Sequence, residues 1–332
     1  MLARSPIDES GRLAAIDYVK AAAIVAVVVN HSLLTLWNPE ATAVDNIVRR
    51  AVQFHVPAFL VVSGYLYART GLSKRRIVAR RLVRILVPYV VASAVVHVTG
   101  FAGATRLRDI AFEFVTGSAL PIYYYVFLLI VCIVATSALC AVGDRAIAPA
   151  VVIVWLYPVA AALIPALRFD NGFFWGMRNP AYYYGYFLAG WVAWVHRPRL
   201  RALATRRRGA VVVTCLLGIA GYALLWGLAA AAPPLPVQVL FRGIYTFSVV
   251  GLTASLTANA TVPGPVGFLS RASYGIYLYH YPFLVLTWPH VTGFAAVPRV
   301  AALVAVGLTG SVLVCGAGIR VLGSRARLLL GV

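Results

Sequence analysis

The chain of 332 residues is 62% hydrophobic and only 11% charged, with a mean hydropathy of +0.87, a balance that excludes an ordinary soluble domain. Its apolar runs are continuous, rich in Ala, Val and Leu, and about 20 residues long, enough to cross ~30 Å of hydrocarbon, which excludes the alternating strands of an outer-membrane barrel as well. The net charge of +20 does not imply a nucleic-acid partner, because the basic residues crowd into short loops beside these runs with no nucleic-acid-binding module around them. The expected fold class is therefore all-α: a polytopic transmembrane helix bundle of about ten helices, both termini cytoplasmic, forming a single domain over 1–332.

In chain order, a short polar cytoplasmic segment, 1–14, leads into the first span, 15–37. No small-residue cleavage site follows that run, so it reads as an uncleaved helix and not as a signal peptide. It carries Asp17, Lys20 and His31. The second span, 48–69, holds His55, Pro57 and the pair Ser63-Gly64; small residues of this kind let helices approach closely, and a polar substrate contact is the other role open to Ser63. A basic stretch containing Arg75, Arg76, Arg80, Arg81 and Arg84 enters the third span, 84–103, which contains His97.

Spans at 121–141, 147–166 and 180–196 follow, two of them opening on Tyr123-Tyr124-Tyr125 and Tyr182-Tyr183-Tyr184. Such clusters suit an interfacial aromatic belt or stacking on sugar faces. The last four spans are 210–231, 240–260, 272–290 with His280, and 299–319, before a cytoplasmic tail, 320–332. Prolines 57, 88, 158 and 282 fall inside spans, where neighbouring helices re-satisfy the backbone groups they free. The four cysteines, Cys132, Cys140, Cys215 and Cys315, sit singly in apolar runs and suit packing, not a disulfide framework or a zinc site. With the N-terminus inside, twenty Lys and Arg residues fall in cytoplasmic segments against eight outside, as the positive-inside bias requires.

Titratable groups inside spans are costly and mark function. Asp17 is the acidic residue placed clearly within a span, and Glu113 falls in an outer loop or at its margin, which leaves histidine as the general base available deep in the bundle. His31, His55 and His280 differ in depth by only about 6 Å at ~1.5 Å per residue, so a compact bundle could gather them. For each, an interhelical hydrogen bond is the alternative role. Lys20 lies three turns before His31 on the same face, ~16 Å away; it would hold an anionic head group, or else snorkel to the interface and pair with Asp17 at i, i+3. The arginine cluster would bind CoA phosphates or serve as a topology signal contacting anionic lipid.

At these residues the sequence resembles the acyltransferase-3 family of integral-membrane O-acyltransferases. That family's first helix carries an acidic residue, a basic residue three positions on and an apolar run ending in His, where this chain has Asp17, Lys20 and His31. Three further blocks are similar: Phe54-His55-Val56-Pro57 running to Ser63-Gly64-Tyr65-Leu66, Arg80-Arg81-Leu82-Val83-Arg84 running to Pro88-Tyr89, and Ser273-Tyr274-Gly275-Ile276-Tyr277-Leu278-Tyr279-His280-Tyr281-Pro282. The family usually has Arg at the position of Lys20, so the charge is kept but the bidentate fork is not.

The resemblance implies transfer of an acyl group, commonly acetyl, from cytoplasmic acyl-CoA, used as donor substrate with no metal, to a hydroxyl of a glycan, a lipid-linked sugar or a glycosylated metabolite. It implies a multi-pass protein of the plasma membrane whose partners are lipids, acyl-CoA and a carbohydrate or glycosylated acceptor. Some members add an extracytoplasmic esterase-like domain, which the sequence ending at Val332 is expected to lack. His31 is the expected general base, with Asp17, Lys20, His55, Ser63, Arg75, Arg76, Arg80, Arg81, Arg84 and His280 as substrate-binding candidates. A transporter or flippase of a glycan precursor is the rival function; it calls for inverted repeats of broken helices, and no convincing internal symmetry is present.

Overall fold

The computed structural model describes residues 14–33, 42–70, 75–142, 147–167, 179–228 and 235–332. All regular structure among them is helical. In chain order the helices are α1 (Ala14–Ser32), α2 (Ala43–Val52), α3 (His55–Thr70), α4 (Arg75–Val98), α5 (Leu107–Thr116), α6 (Tyr124–Val142), α7 (Ile147–Leu163), α8 (Tyr184–Val195), α9 (Arg197–Arg206), α10 (Arg208–Leu228), α11 (Leu235–Leu256), α12 (Gly264–Val291), α13 (Ala296–Leu322) and α14 (Ala326–Leu329). Each of the ten expected spans has a helical counterpart. The expected N-terminal segment 1–14 lies, but for Ala14, outside the described residues.

Several boundaries differ from expectation for local reasons. The second span is two helices, because the chain turns at Gln53, whose N–H donates to the Arg50 carbonyl at 3.2 Å, and restarts with Pro57 in the first turn of α3, where a missing N–H costs nothing. Helix α4 starts at Arg75 and not at 84. The stretch up to Val87 has neither Gly nor Pro, and Arg and Leu are good helix formers, so the basic loop is in fact two helical turns. Residues 107–116, expected in a loop, form α5, stopped by Gly117 in the left-handed conformation at φ 66° with its N–H on the Glu113 carbonyl.

Among the described residues, seven stretches are long and apolar enough to cross a membrane: Ala14–Ser32, Ala43–Thr70, Arg76–Val98, Pro121–Ala141, Arg208–Gly227, Val237–Leu256 and Ala296–Leu329. Helix α8, at 12 residues, is ~18 Å long and too short to span. Helix α12 has the length, 28 residues, but four tyrosines, two histidines and three prolines dilute its hydropathy.

The residues group into two compact units. Unit 1 is Met1–Lys20, Phe54–Ile77 and Val131–Gly267; unit 2 is Ala21–Gln53, Val78–Ile130 and Phe268–Val332. In unit 1, α3 and α8 meet backbone to backbone: a Cβ on Gly64 would run into the Phe187 carbonyl, and one on Gly190 into that of Val61. This close approach is the packing role expected of Gly64. Trp155 of α7 fits between Gly185 and Gly243, where an added Cβ would come within 2.9 Å of its indole at either position.

In unit 2, α13 lies close on α12, since a Cβ on Gly307 would come within 2.6 Å of Leu284 and one on Gly310 within 2.6 Å of the Phe283 ring. The expected cytoplasmic tail is folded: Ala326 is buried, and Gly275 leaves room for the Leu330 carbonyl, which a Cβ there would meet at 2.8 Å.

Candidate active site

The site grows out of the tyrosine-rich part of α12. Pro282 has no N–H to give the Leu278 carbonyl four residues back, and that carbonyl instead accepts the Tyr123 hydroxyl at 2.9 Å. Tyr277 returns the contact, its hydroxyl donating to the Ile122 carbonyl. The two bonds clasp α12 to the 3-10 turn Pro121–Tyr123 that opens α6. One turn earlier, the Tyr274 hydroxyl donates to the Ile85 carbonyl of α4 at 2.8 Å. Two of the four tyrosines of the α12 block, Tyr274 and Tyr277, are thus cross-links to neighbouring backbone, and His280 sits in the same stretch.

His280 is fully buried, and His31 is 9% exposed. His31 Nδ1 lies 2.9 Å from His280 Nε2, with the rings stacked at a centroid separation of 5.1 Å and an interplanar angle of 18°. The Tyr281 ring stands edge-on to His31 at 6.3 Å. His280 Nδ1 faces two carbonyls of its own helix, Ile276 at 3.0 Å and Tyr277 at 2.9 Å. Helix α1 is described over Ala14–Ser32, with His31 in its last turn; residues 34–37 of the expected span lie outside the described residues. Two buried imidazoles joined by one hydrogen bond can accept a proton from a substrate hydroxyl and return it.

The other candidates fall elsewhere. In unit 1, His55 is buried as the first residue of α3 and Ser63 is half-buried on it; Asp17 is buried and Lys20 half-buried in the early turns of α1. Arg76, Arg80 and Arg84 recur at every fourth residue of α4 and are all exposed, whereas Arg81 is half-buried. The side chain of Arg75 lies outside the described residues. Among the described residues no group of three or more His, Cys, Asp or Glu is placed to hold a metal, and the four cysteines form no disulfide.

Tyr123, Tyr125, Tyr182 and Tyr183 are buried in protein, and the half-buried Tyr184 shares a hydrogen bond with Thr136 at 3.0 Å. Two polar pairs were not foreseen. His97 Nε2 lies 2.9 Å from Glu113 Oε2 while its Nδ1 lies 2.7 Å from the Ser93 carbonyl; Glu113 was placed in a loop, and Gly117 as a helix stop was the available signal for α5. Asp45, 2% exposed, caps α2 through Thr42 and pairs with Arg299 at 3.6 Å. Its signal was the capping pattern Thr42 to Asp45.

Comparison with known proteins gives one match. No curated protein and no solved structure matches the chain, but the acyltransferase-3 family model, an acyltransferase domain, matches residues 13–316, a span that takes in His31, His280 and the whole α12 block. The chain belongs to the acyltransferase-3 family and is a multi-pass membrane acyltransferase.

Proposed function

We propose that the protein transfers an acyl group, acetyl in the first instance, from cytoplasmic acyl-CoA to a hydroxyl of a glycan, a lipid-linked sugar or a glycosylated metabolite at the plasma membrane. The buried His31–His280 pair carries this reading. A hydroxyl is a poor nucleophile at neutral pH and needs a base as it attacks the thioester, and His31 is that base. The attacking oxygen bonds to the thioester carbonyl carbon, its proton passes to His31, the carbon–sulfur bond breaks and the CoA thiolate takes the proton back.

The exposed arginines of α4 are assigned to the CoA phosphates, to which guanidinium groups donate charge-assisted hydrogen bonds. The spacing of Arg76, Arg80 and Arg84, one helical turn apart, supports this, because a stripe of cations can follow a chain of phosphates. Arg75 and Arg81 extend the cluster. Asp17, Lys20, His55 and Ser63 are assigned to substrate binding, Lys20 to an anionic head group of the donor.

Membranes containing the protein, incubated with radiolabelled acetyl-CoA, are expected to yield a labelled product whose identification fixes the acceptor. His31→Ala should lower that transfer by at least ~10²-fold while the protein still accumulates in the membrane. Undiminished turnover in this variant would overturn the assignment of the base.

A further inference from the structure

We propose that His280 is a positioning residue that holds His31 in the one tautomer able to act as base; the inference rests on the reading of His31 as that base. The sequence reading had placed His280 among the substrate contacts. Its surroundings assign it differently. It is fully buried, and both of its ring nitrogens are already engaged within unit 2.

The direction of each hydrogen bond follows from the chemistry of the partners. The Ile276 and Tyr277 oxygens are carbonyls and can only accept, so His280 Nδ1 carries a hydrogen and donates to both, at 3.0 and 2.9 Å. A doubly protonated His280 would be a fully buried cation with no carboxylate paired to it among the described residues, a cost of several kcal/mol. In the neutral ring, Nε2 holds a lone pair. His31 Nδ1, 2.9 Å away, is therefore the donor, and a neutral His31 then presents its lone pair on Nε2.

That nitrogen is the one that takes the acceptor's proton. When it does, the charge on His31 is shared through Nδ1–H with His280 Nε2, and His280 Nδ1–H is itself polarised by two peptide carbonyls. The carbonyl pair thus does at one remove what a carboxylate does behind the histidine of a hydrolase triad: it fixes the ring and steadies the imidazolium. Tyr277 and Leu278, whose hydroxyl and carbonyl form the clasp to Ile122 and Tyr123, hold this stretch of α12 in place.

The test combines kinetics with a direct view of the tautomer. With [14C]acetyl-CoA and the endogenous acceptor in membranes carrying the full chain, His280→Leu should lower kcat about 10- to 100-fold, as loss of an orienting partner does, with KM for acetyl-CoA unchanged. His280→Gln should restore most of the rate, because its amide oxygen can accept from His31 Nδ1–H while its NH2 donates to the Ile276 carbonyl. Nitrogen-15 NMR of histidine-labelled protein in bilayers, with His31 assigned by its absence in His31→Ala, should show His31 protonated at Nδ1 in the wild type and at Nε2 or mixed in His280→Leu.

A wild-type His31 protonated at Nε2 overturns the inference. So does an unchanged kcat in His280→Leu when His31→Ala is inactive, or a loss expressed wholly in KM. An active His31→Ala instead overturns the base itself, and so separates the two failures.

Discussion

Unit 2 contains two buried or half-buried histidine pairs, and they share an anchor. In both, one histidine sends Nδ1–H to the carbonyl four residues back on its own helix, His280 to Ile276 and His97 to Ser93. They differ in what faces Nε2. For His280 it is a second imidazole, which can donate and leaves the chain of hydrogen bonds running on to another ring nitrogen. For His97 it is the Glu113 carboxylate at 2.9 Å, which ends the chain there. The same local geometry makes a proton acceptor in one place and a clasp between α4 and α5 in the other. The partner, not the histidine, decides which.

The strongest way to break this contrast is to remove one imidazole from each pair. His31→Ala should abolish transfer by at least ~10²-fold, whereas His97→Ala should leave kcat per folded molecule unchanged; radiolabelled acetyl-CoA turnover normalised to folded protein measures both. A loss of kcat in His97→Ala would make the second pair part of the chemistry. Next, Glu113→Gln keeps a hydrogen-bonding side chain beside His97 but removes the charge, and should cost about 1.5–3 kcal/mol of stability, read as a lower thermal midpoint in detergent. Tyr277→Phe, which strips one neutral hydroxyl from the clasp around His280, should cost about 1 kcal/mol by the same measurement and lower transfer less than His280→Leu does. The smallest effect expected is in Arg84→Ala, an exposed cation of the α4 stripe, which should raise KM for acetyl-CoA by roughly 10-fold or less, about 1 kcal/mol, with kcat unchanged. A change confined to membrane insertion would assign that residue to topology alone.

The sequence made the helices legible because long apolar runs can satisfy their backbone in a membrane in no other way. It was less informative wherever a single turn decided the outcome. The break at Gln53 falls between two stretches read as one span, and the start of α4 at Arg75 lies in a basic stretch read as a loop. His31 and His280 could be picked out as costly intramembrane groups, yet their bond joins residues 249 positions apart, and no local pattern encodes its direction. Tyr274 and Tyr277 of α12 were legible as part of a family block and illegible as cross-links, because their carbonyl partners belong to α4 and to the turn that opens α6. Gly64 was the opposite case: a small residue beside Ser63 signalled close packing, and the α3–α8 contact has that form.

One feature of α12 bears on how the protein assembles. Because Pro282 leaves the Leu278 carbonyl bare, and that oxygen is satisfied by a tyrosine 155 residues earlier in the chain, α12 cannot complete its own hydrogen bonding alone. In lipid such an oxygen costs several kcal/mol until a donor arrives. Tyr123 is synthesised long before Pro282, so the donor is waiting when the helix enters the bilayer. The proline thus leaves α12 dependent on the turn that opens α6, the same turn held by Tyr277, three residues before His280.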